Sequence, residues 1–238
     1  LKEKILDGIK FSRCNYCIVE EYFTGSEHTV ETFYNIDSNQ VKCFITDRFF
    51  DHKKGYAIET GLRSPSSLSK KKKKTLYKLI DILAKKMGLK FGPLKADILY
   101  TKKGPMIIEA TTRYSGGFDC QFLVPAASGK NIVRVGIQNS LGKKVNEIFL
   151  KDKFNLTGVT GSLWPKKGQI KKIDFDRKIS NMRGFKHLFF VKKIGEEVGN
   201  YKNCADRACF IIAVGKNFNQ ARKNLDNIRK KISIEIYD

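Results

Sequence analysis

The chain has 238 residues, 41% of them hydrophobic, and a formal net charge of +22. That length can bury one good core, or one domain and a fraction of a second. No apolar run approaches the ~18 residues of a membrane span and no secretory h-region is present, so a cytoplasmic protein without a membrane partner is expected. The charge invites a nucleic-acid reading. Its lysines, however, are dispersed along the whole chain, which is the pattern of solvated faces, and nucleic acid is not the expected partner. Six cysteines, at 14, 17, 43, 120, 204 and 209, include Cys14-x-x-Cys17, but no second pair follows at ligand spacing and there are three His. Reduced thiols are therefore expected rather than a zinc site.

Residues 1–13 read as the end of a helix, with Ile5 and Ile9 on one side. Cys17 to Phe23 (CIVEEYF) predicts a short strand, and Thr24-Gly25-Ser26 a turn. From Glu27 to Ile36 the chain alternates, with Thr29, Glu31 and Phe33 opposite His28, Val30 and Thr32. Val41 to Asp47 predicts another strand, and Arg48 to Ser69, with Pro65 and several Ser, a polar loop. Five lysines, Lys70 to Lys74, open a helix carrying Leu76, Leu79, Ile80, Leu83 and Met87 at helical spacing, with Gly88 as its stop. This helix is expected to pack behind a sheet. Further on, Pro125 to Gly129 breaks the chain, and Asn131 to Leu141 predicts a helix with Ile132, Val133, Ile137 and Leu141 inward. From about Leu156 the texture changes to short strands at Val159 to Leu163, Ile170 to Phe175, His187 to Val191 and Ala208 to Val214. A final helix, Asn219 to Lys231, puts Ala221, Leu225, Ile228 and Ile232 on one side.

The stretch GPLKADILYTKKGPMIIEATTRYSGG, from Gly92 to Gly117, organises the rest. Lys95 to Tyr100 and Met106 to Ala110 read as two strands, and Lys102-Lys103-Gly104-Pro105 as the reversal between them. In an unbulged hairpin centred on Lys103, Asp97 and Glu109 face each other with Cβ atoms roughly 4.5–5.5 Å apart. Two bare carboxylates so placed repel, and their apolar neighbours Ile98, Leu99, Ile107 and Ile108 argue for a buried face. A cation between them relieves the repulsion. Mg²⁺ is typically held by one or two carboxylates together with phosphate oxygens. The same face continues to Thr111 and Arg113, and Gly116-Gly117 lets the backbone turn away or approach a ligand.

An acid pair at this spacing in an IIEATTR segment followed by Gly-Gly resembles the magnesium-binding core of the ATP-grasp superfamily, in its biotin carboxylase and carbamoyl-phosphate synthetase branch. Asp97, Glu109 and Arg113 match that pattern, whereas Thr111 stands where Asn is usual, which weakens a second metal position. IVEEYFTGSEHTVE resembles the hinge of these enzymes. On that resemblance Glu20, Glu21, Tyr22 and Phe23 would border the adenine and Glu27 would hold the ribose. The C-terminal order of Pro-x-x-Gly-Ile, Gly-Glu-Glu-Val, an apolar strand and an Ala-Arg helix is similar to the C-terminal domain of biotin carboxylase.

The resemblance implies an α+β fold. Residues 1–150 would form the second half of an ATP-grasp domain, an antiparallel sheet flanked by helices, and residues 151–238 a small strand-rich C-terminal domain. It implies ATP and Mg²⁺ (or Mn²⁺) as cofactors, small-molecule carboxylate and amine substrates, and an acyl phosphate steadied by Arg113. Biotin carboxylases carry Gln-Val-Glu-His after that Arg; Tyr114-Ser115-Gly116-Gly117 stands here, favouring a carboxylate–amine ligase. The glycine-rich loop and paired lysines that clamp the phosphates precede the hinge in the family and have no counterpart in these residues. With Leu1 at its start, the chain is accordingly expected to work with a missing N-terminal half or a partner chain, with a homodimer left open, and to be inactive alone. The alternatives are a degenerate or split nucleotide-binding partner module and a basic nucleic-acid-binding protein.

Overall fold

Alternation along successive strands builds one large antiparallel sheet in the computed structural model, which describes residues 1–35, 37, 39–52, 57–146, 150 and 153–237. Helix α1 (Lys2–Lys10) is followed by β1 (Gly25–Tyr34), β2 (Gln40–Asp51), β3 (Ile58–Ser64), α2 (Lys70–Lys86), β4 (Gly92–Thr101) and β5 (Gly104–Thr111). Then come α3 (Val124–Ser128), α4 (Ile132–Ser140), β6 (Thr157–Leu163), β7 (Gly168–Phe175), β8 (Phe185–Phe190), β9 (Glu197–Val198), β10 (Cys209–Gly215), α5 (Phe218–Arg229) and β11 (Ile232–Ile236). Eight strands run in the order β5-β4-β1-β2-β3-β6-β10-β8, and a three-stranded sheet in the order β11-β7-β9. Among the described residues no helix is long and apolar enough to cross a membrane.

Period-2 alternation divides the large sheet into two faces. Val30, Tyr34, Ile45, Leu94, Ala96 and Ile98 point to one face, where α2 covers them with Leu76, Tyr77, Ile80 and Ala84. The side chain of Ser69 caps that helix, accepting from the Lys72 backbone N–H at 3.4 Å. Such a cap offsets part of the cost of placing five lysines at the positive end of the helix dipole. On the opposite face Phe33 and Phe44 meet Cys120, Val124 and the α4 residues Ile132 and Val135. Helix α5 lays Ala221, Leu225 and Ile228 over Ile211 and Ala213 of β10 and Val159 of β6.

Several expectations are corrected. Residues 17–23 form no strand: CIVEEYF has strand composition but no partner strand, and Ile18, Val19 and Tyr22 are exposed. The stretch from Arg48 to Ser69 is not a loop, since β2 continues to Asp51 and β3 occupies Ile58–Ser64. Pro125 opens no break; it is the second residue of α3, which continues directly from a π-helical turn over Asp119–Leu123. In α4 the buried residues are Ile132 and Val135, while Ile137 and Leu141 are exposed. Ile232 begins β11 rather than ending a helix. Ile36, expected at the end of the first long strand, lies outside the described residues.

Strands β3 and β6 approach so closely at Gly61 that an added Cβ would lie 2.5 Å from the Thr160 carbonyl oxygen. The opposing atom is backbone and cannot swing away. Gly61→Ala is expected to cost ~1–3 kcal/mol through overpacking, read as a lower urea midpoint at unchanged slope.

Candidate active site

The face opposite α2 carries a polar stripe across five strands. Its centre is the hairpin β4–β5, which turns between Thr101 and Gly104; a bulge between Asp97 and Ile98 then shifts the register so that Asp97 pairs with Glu109. The facing pair is as expected, but it arises from an off-centre turn corrected by the bulge. Between the two carboxylates sits the ammonium of Lys95. Lys95 Nζ donates to Asp97 Oδ2 and to Glu109 Oε1, both at 2.7 Å. Lys95 and Asp97 are two apart and so share a face.

Asp97 is nearly fully buried and saturated with donors. Thr29 Oγ1 donates to its Oδ1 at 2.8 Å, and Arg48 Nη1 lies 2.7 Å from its Oδ2. Arg48 also donates from Nε to Glu59 Oε2 at 2.9 Å and sits 3.7 Å from Glu27 Oε2. Burial alone would lower the Arg48 pKa; the carboxylates of Asp97 and Glu59 outweigh it, and the pKa is raised. Glu109, by contrast, has a side chain 60% exposed, and the Lys95 hydrogen bond holds its carboxyl below the usual range. Burial pushes Glu27 up.

Deeper on the same face, both Glu31 carboxylate oxygens accept from the Ser115 backbone N–H, at 3.2 and 3.1 Å. Asp119 accepts from Thr46 Oγ1 at 3.3 Å and Ser115 Oγ at 3.4 Å. Burial drives Glu31 well above its ordinary value and Asp119 from 3.8 up to about 7. Between those values the folded state binds the proton that the unfolded state has lost, so Asp119 makes stability fall as pH rises from about 4 through 7. Asp119→Asn is expected to remove that slope and to add on the order of 1–3 kcal/mol at pH 8. Urea unfolding of both proteins at pH 5 and pH 8 checks it; an equal gain at both values would contradict the assignment.

The other predicted residues are scattered. Glu20, Glu21 and Tyr22 are exposed on a segment without regular structure, and Phe23 is half-buried there. Arg113 is exposed and its Nη1 donates to the Tyr114 carbonyl at 2.9 Å rather than joining the acid pair. The apolar neighbours on β5 do not bury it either: Met106, Ile107 and Ile108 are exposed because β5 is a sheet edge. Lys95, Arg48 and Glu59 were missed by sequence reasoning. The Lys-x-Asp alternation in β4 was a usable signal for Lys95, whereas Arg48 and Glu59 lay in the stretch read as loop. Beside Arg48 and Glu59 opens a cleft of about 630 Å³ that also includes Lys192, Arg207 and Phe210. Arg207 donates to the carbonyls of Cys204 and Glu59, both at 3.0 Å, and lies 4.2 Å from the Phe210 ring centroid.

The two carboxylates suit a hard cation, since one ammonium nitrogen already touches both. Among the described residues no group of three or more His, Cys, Asp and Glu is arranged to hold a metal ion by itself.

Against known proteins, residues 9–121 match the ATP-grasp domain family and residues 162–237 match L-amino acid ligase C-terminal domain 2. The match to the ATP-grasp domain family thus covers residues 9–121, just under half of the chain. Similar solved structures include L-amino acid ligase from Bacillus licheniformis, with TM-score 0.79 and 18% identity over 91% of this chain and 53% of that one. Phosphoribosylglycinamide synthetase from Anaerococcus prevotii gives TM-score 0.77 and 19% identity over 100% of this chain and 61% of that one. The biotin carboxylase domain of Hydrogenobacter thermophilus 2-oxoglutarate carboxylase, solved with MgADP, gives 0.73 and 14% over 98% and 51%. The chain thus spans about half to three-fifths of the length of these structures. No curated protein matches its sequence.

Proposed function

We propose that the chain is the metal- and substrate-binding part of an ATP-dependent ligase that activates a carboxylate as an acyl phosphate for capture by an amine. The observation that carries this reading is the Asp97–Glu109 pair, bridged by one cationic atom on a strand hairpin of an ATP-grasp domain. Asp97 and Glu109 would hold Mg²⁺ (or Mn²⁺) in the loaded enzyme, taking the place of the Lys95 ammonium that bridges them here. The bound ion supplies charge neutralisation at the phosphate oxygens. Arg48 orients Asp97, its Nη1 lying 2.7 Å from Oδ2. Glu20 to Phe23 and Glu27 are assigned to the adenine and ribose, and the exposed Arg113 to the transferring phosphoryl group.

The cleft beside Arg48 is the substrate pocket in this reading. Arg207 and Lys192 present positive charge to a carboxylate, and Phe50 and Phe210 give apolar walls. An amino acid fits that chemistry, in keeping with the L-amino acid ligase match over residues 162–237. The grip on the β- and γ-phosphates is assigned to protein outside residues 1–238, and the chain alone is expected to turn over below detection. The test is phosphate release from ATP with mixtures of amino acids, run on this chain and on a version extended by its upstream coding sequence. Turnover by the extended protein that requires both a carboxylate and an amine supports the reading. Robust turnover by the chain alone means that the phosphate grip has been misplaced.

A further inference from the structure

On the α2 face of the sheet, away from the acid pair, Ser26, His28 and Asp47 form a continuous hydrogen-bonded line. Ser26 Oγ lies 2.7 Å from His28 Nε2, and His28 Nδ1 lies 2.9 Å from Asp47 Oδ1. Ser26 and His28 are two apart on β1 and point the same way, while Asp47 is the β2 residue paired with His28. The second oxygen of Asp47 accepts from both the backbone N–H and the hydroxyl of Ser67 at 2.9 Å, with Arg63 Nη1 at 3.9 Å. Burial opposes ionisation of Asp47, but the hydrogen bonds from His28, Ser66 and Ser67 outweigh it and lower its pKa.

An ionised, acceptor-only Asp47 requires that His28 Nδ1 carry the proton. In the neutral imidazole Nε2 is then the acceptor and the Ser26 hydroxyl its donor. His28 and Asp47 are buried, whereas Ser26 is exposed and lines a cleft of about 600 Å³. The other wall of that cleft is the start of α2, including Lys72. The positive end of a seventeen-residue helix and an ammonium group therefore flank the space in front of Ser26. A nucleophile, a base hydrogen-bonded to it, an acid fixing the base, and positive charge for a developing oxyanion are the parts of an acyl-transfer site.

We propose that this cleft, which Glu27 and Arg48 of the ligase reading also line, holds a second chemical site needing neither ATP nor metal, in which Ser26 accepts the acyl group of a small activated carboxylic ester. Ser26 Oγ attacks the ester carbonyl while its proton passes to His28 Nε2. The adduct collapses by breaking the bond to the alkoxide, which takes that proton and leaves as the alcohol. Water then attacks the acyl-serine by the same route, releasing the acid and restoring the hydroxyl.

The test needs neither ATP nor metal. The chain is treated with a fluorophosphonate probe, and separately with p-nitrophenyl acetate, and adducts are read by intact mass and peptide mapping. Single-site labelling at Ser26 is expected, with Ser26→Ala labelled at least ~10²-fold more slowly. Because Ser26 is exposed, that variant is expected to keep the wild-type circular dichroism and urea midpoint. Asp47→Asn, if folded by the same criteria, should also slow labelling by ~10²-fold or more by removing the proton acceptor at Nδ1. An unlabelled wild type, or a Ser26→Ala protein labelled as fast as wild type, overturns the proposal whatever Asp47→Asn does.

Discussion

Glu109→Gln in the extended protein is expected to lower ATP-dependent phosphate release by ~10²–10³-fold, the usual effect of losing one preorganised group at developing charge. The prediction is clean because the Glu109 side chain is 60% exposed and its loss leaves no buried charge behind. Its neutral amide keeps the shape and can still meet Lys95, so circular dichroism and the urea midpoint should stay near wild type. Asp97→Asn should reduce turnover by at least as much. Its readout is less direct, because Asp97 also anchors Thr29, Lys95 and Arg48. Raising Mn²⁺ concentration should recover part of the Glu109→Gln rate if the lost group binds metal. Unchanged turnover in Glu109→Gln would remove the acid pair from the mechanism.

The second large effect is on stability. Arg48→Ala is expected to cost ~3–5 kcal/mol, because it strands partly buried carboxylates that shared one guanidinium. Asp97 and Glu59 each lie within 3 Å of Arg48, at 2.7 and 2.9 Å. Arg48→Lys should recover only a fraction, since an ammonium cannot reproduce the planar fork that reaches both partners. Adding Glu59→Gln to Arg48→Ala removes one of the stranded charges and should restore part of the loss. Urea unfolding at pH 7 of the two single variants and the double variant measures this coupling. A cost below ~1 kcal/mol would reduce the network to a surface ion pair.

What could be read from residues alone followed where one physical signal dominated. The β4–β5 hairpin was legible because turn residues separate two strand-forming runs, and α2 because Leu76 and Ile80 recur at helical spacing on its buried side. The bulge at Asp97 leaves no mark in composition, yet it sets the final register of the acid pair. Strand β3 was missed because Glu59, Thr60, Gly61 and Arg63 interrupt apolar alternation, and it is this polarity that places Glu59 against Arg48. Residues 17–23 erred the other way, since β propensity without a partner strand builds nothing. In α4 apolar spacing suggested an inward face that includes Ile137 and Leu141, but the helix packs through Ile132 and Val135. Long-range packing decides such cases, and it is not written locally.

Titration of Mn²⁺ by electron paramagnetic resonance, with and without a non-hydrolysable ATP analogue, tests the central claim most directly. The extended protein and its Glu109→Gln variant would be compared. Two carboxylates that already share an ammonium hold a hard cation weakly by themselves. The account predicts tight Mn²⁺ binding only when nucleotide is present, with that binding weakened by Glu109→Gln. Tight binding without nucleotide, or nucleotide-dependent binding that Glu109→Gln leaves unchanged, would contradict it.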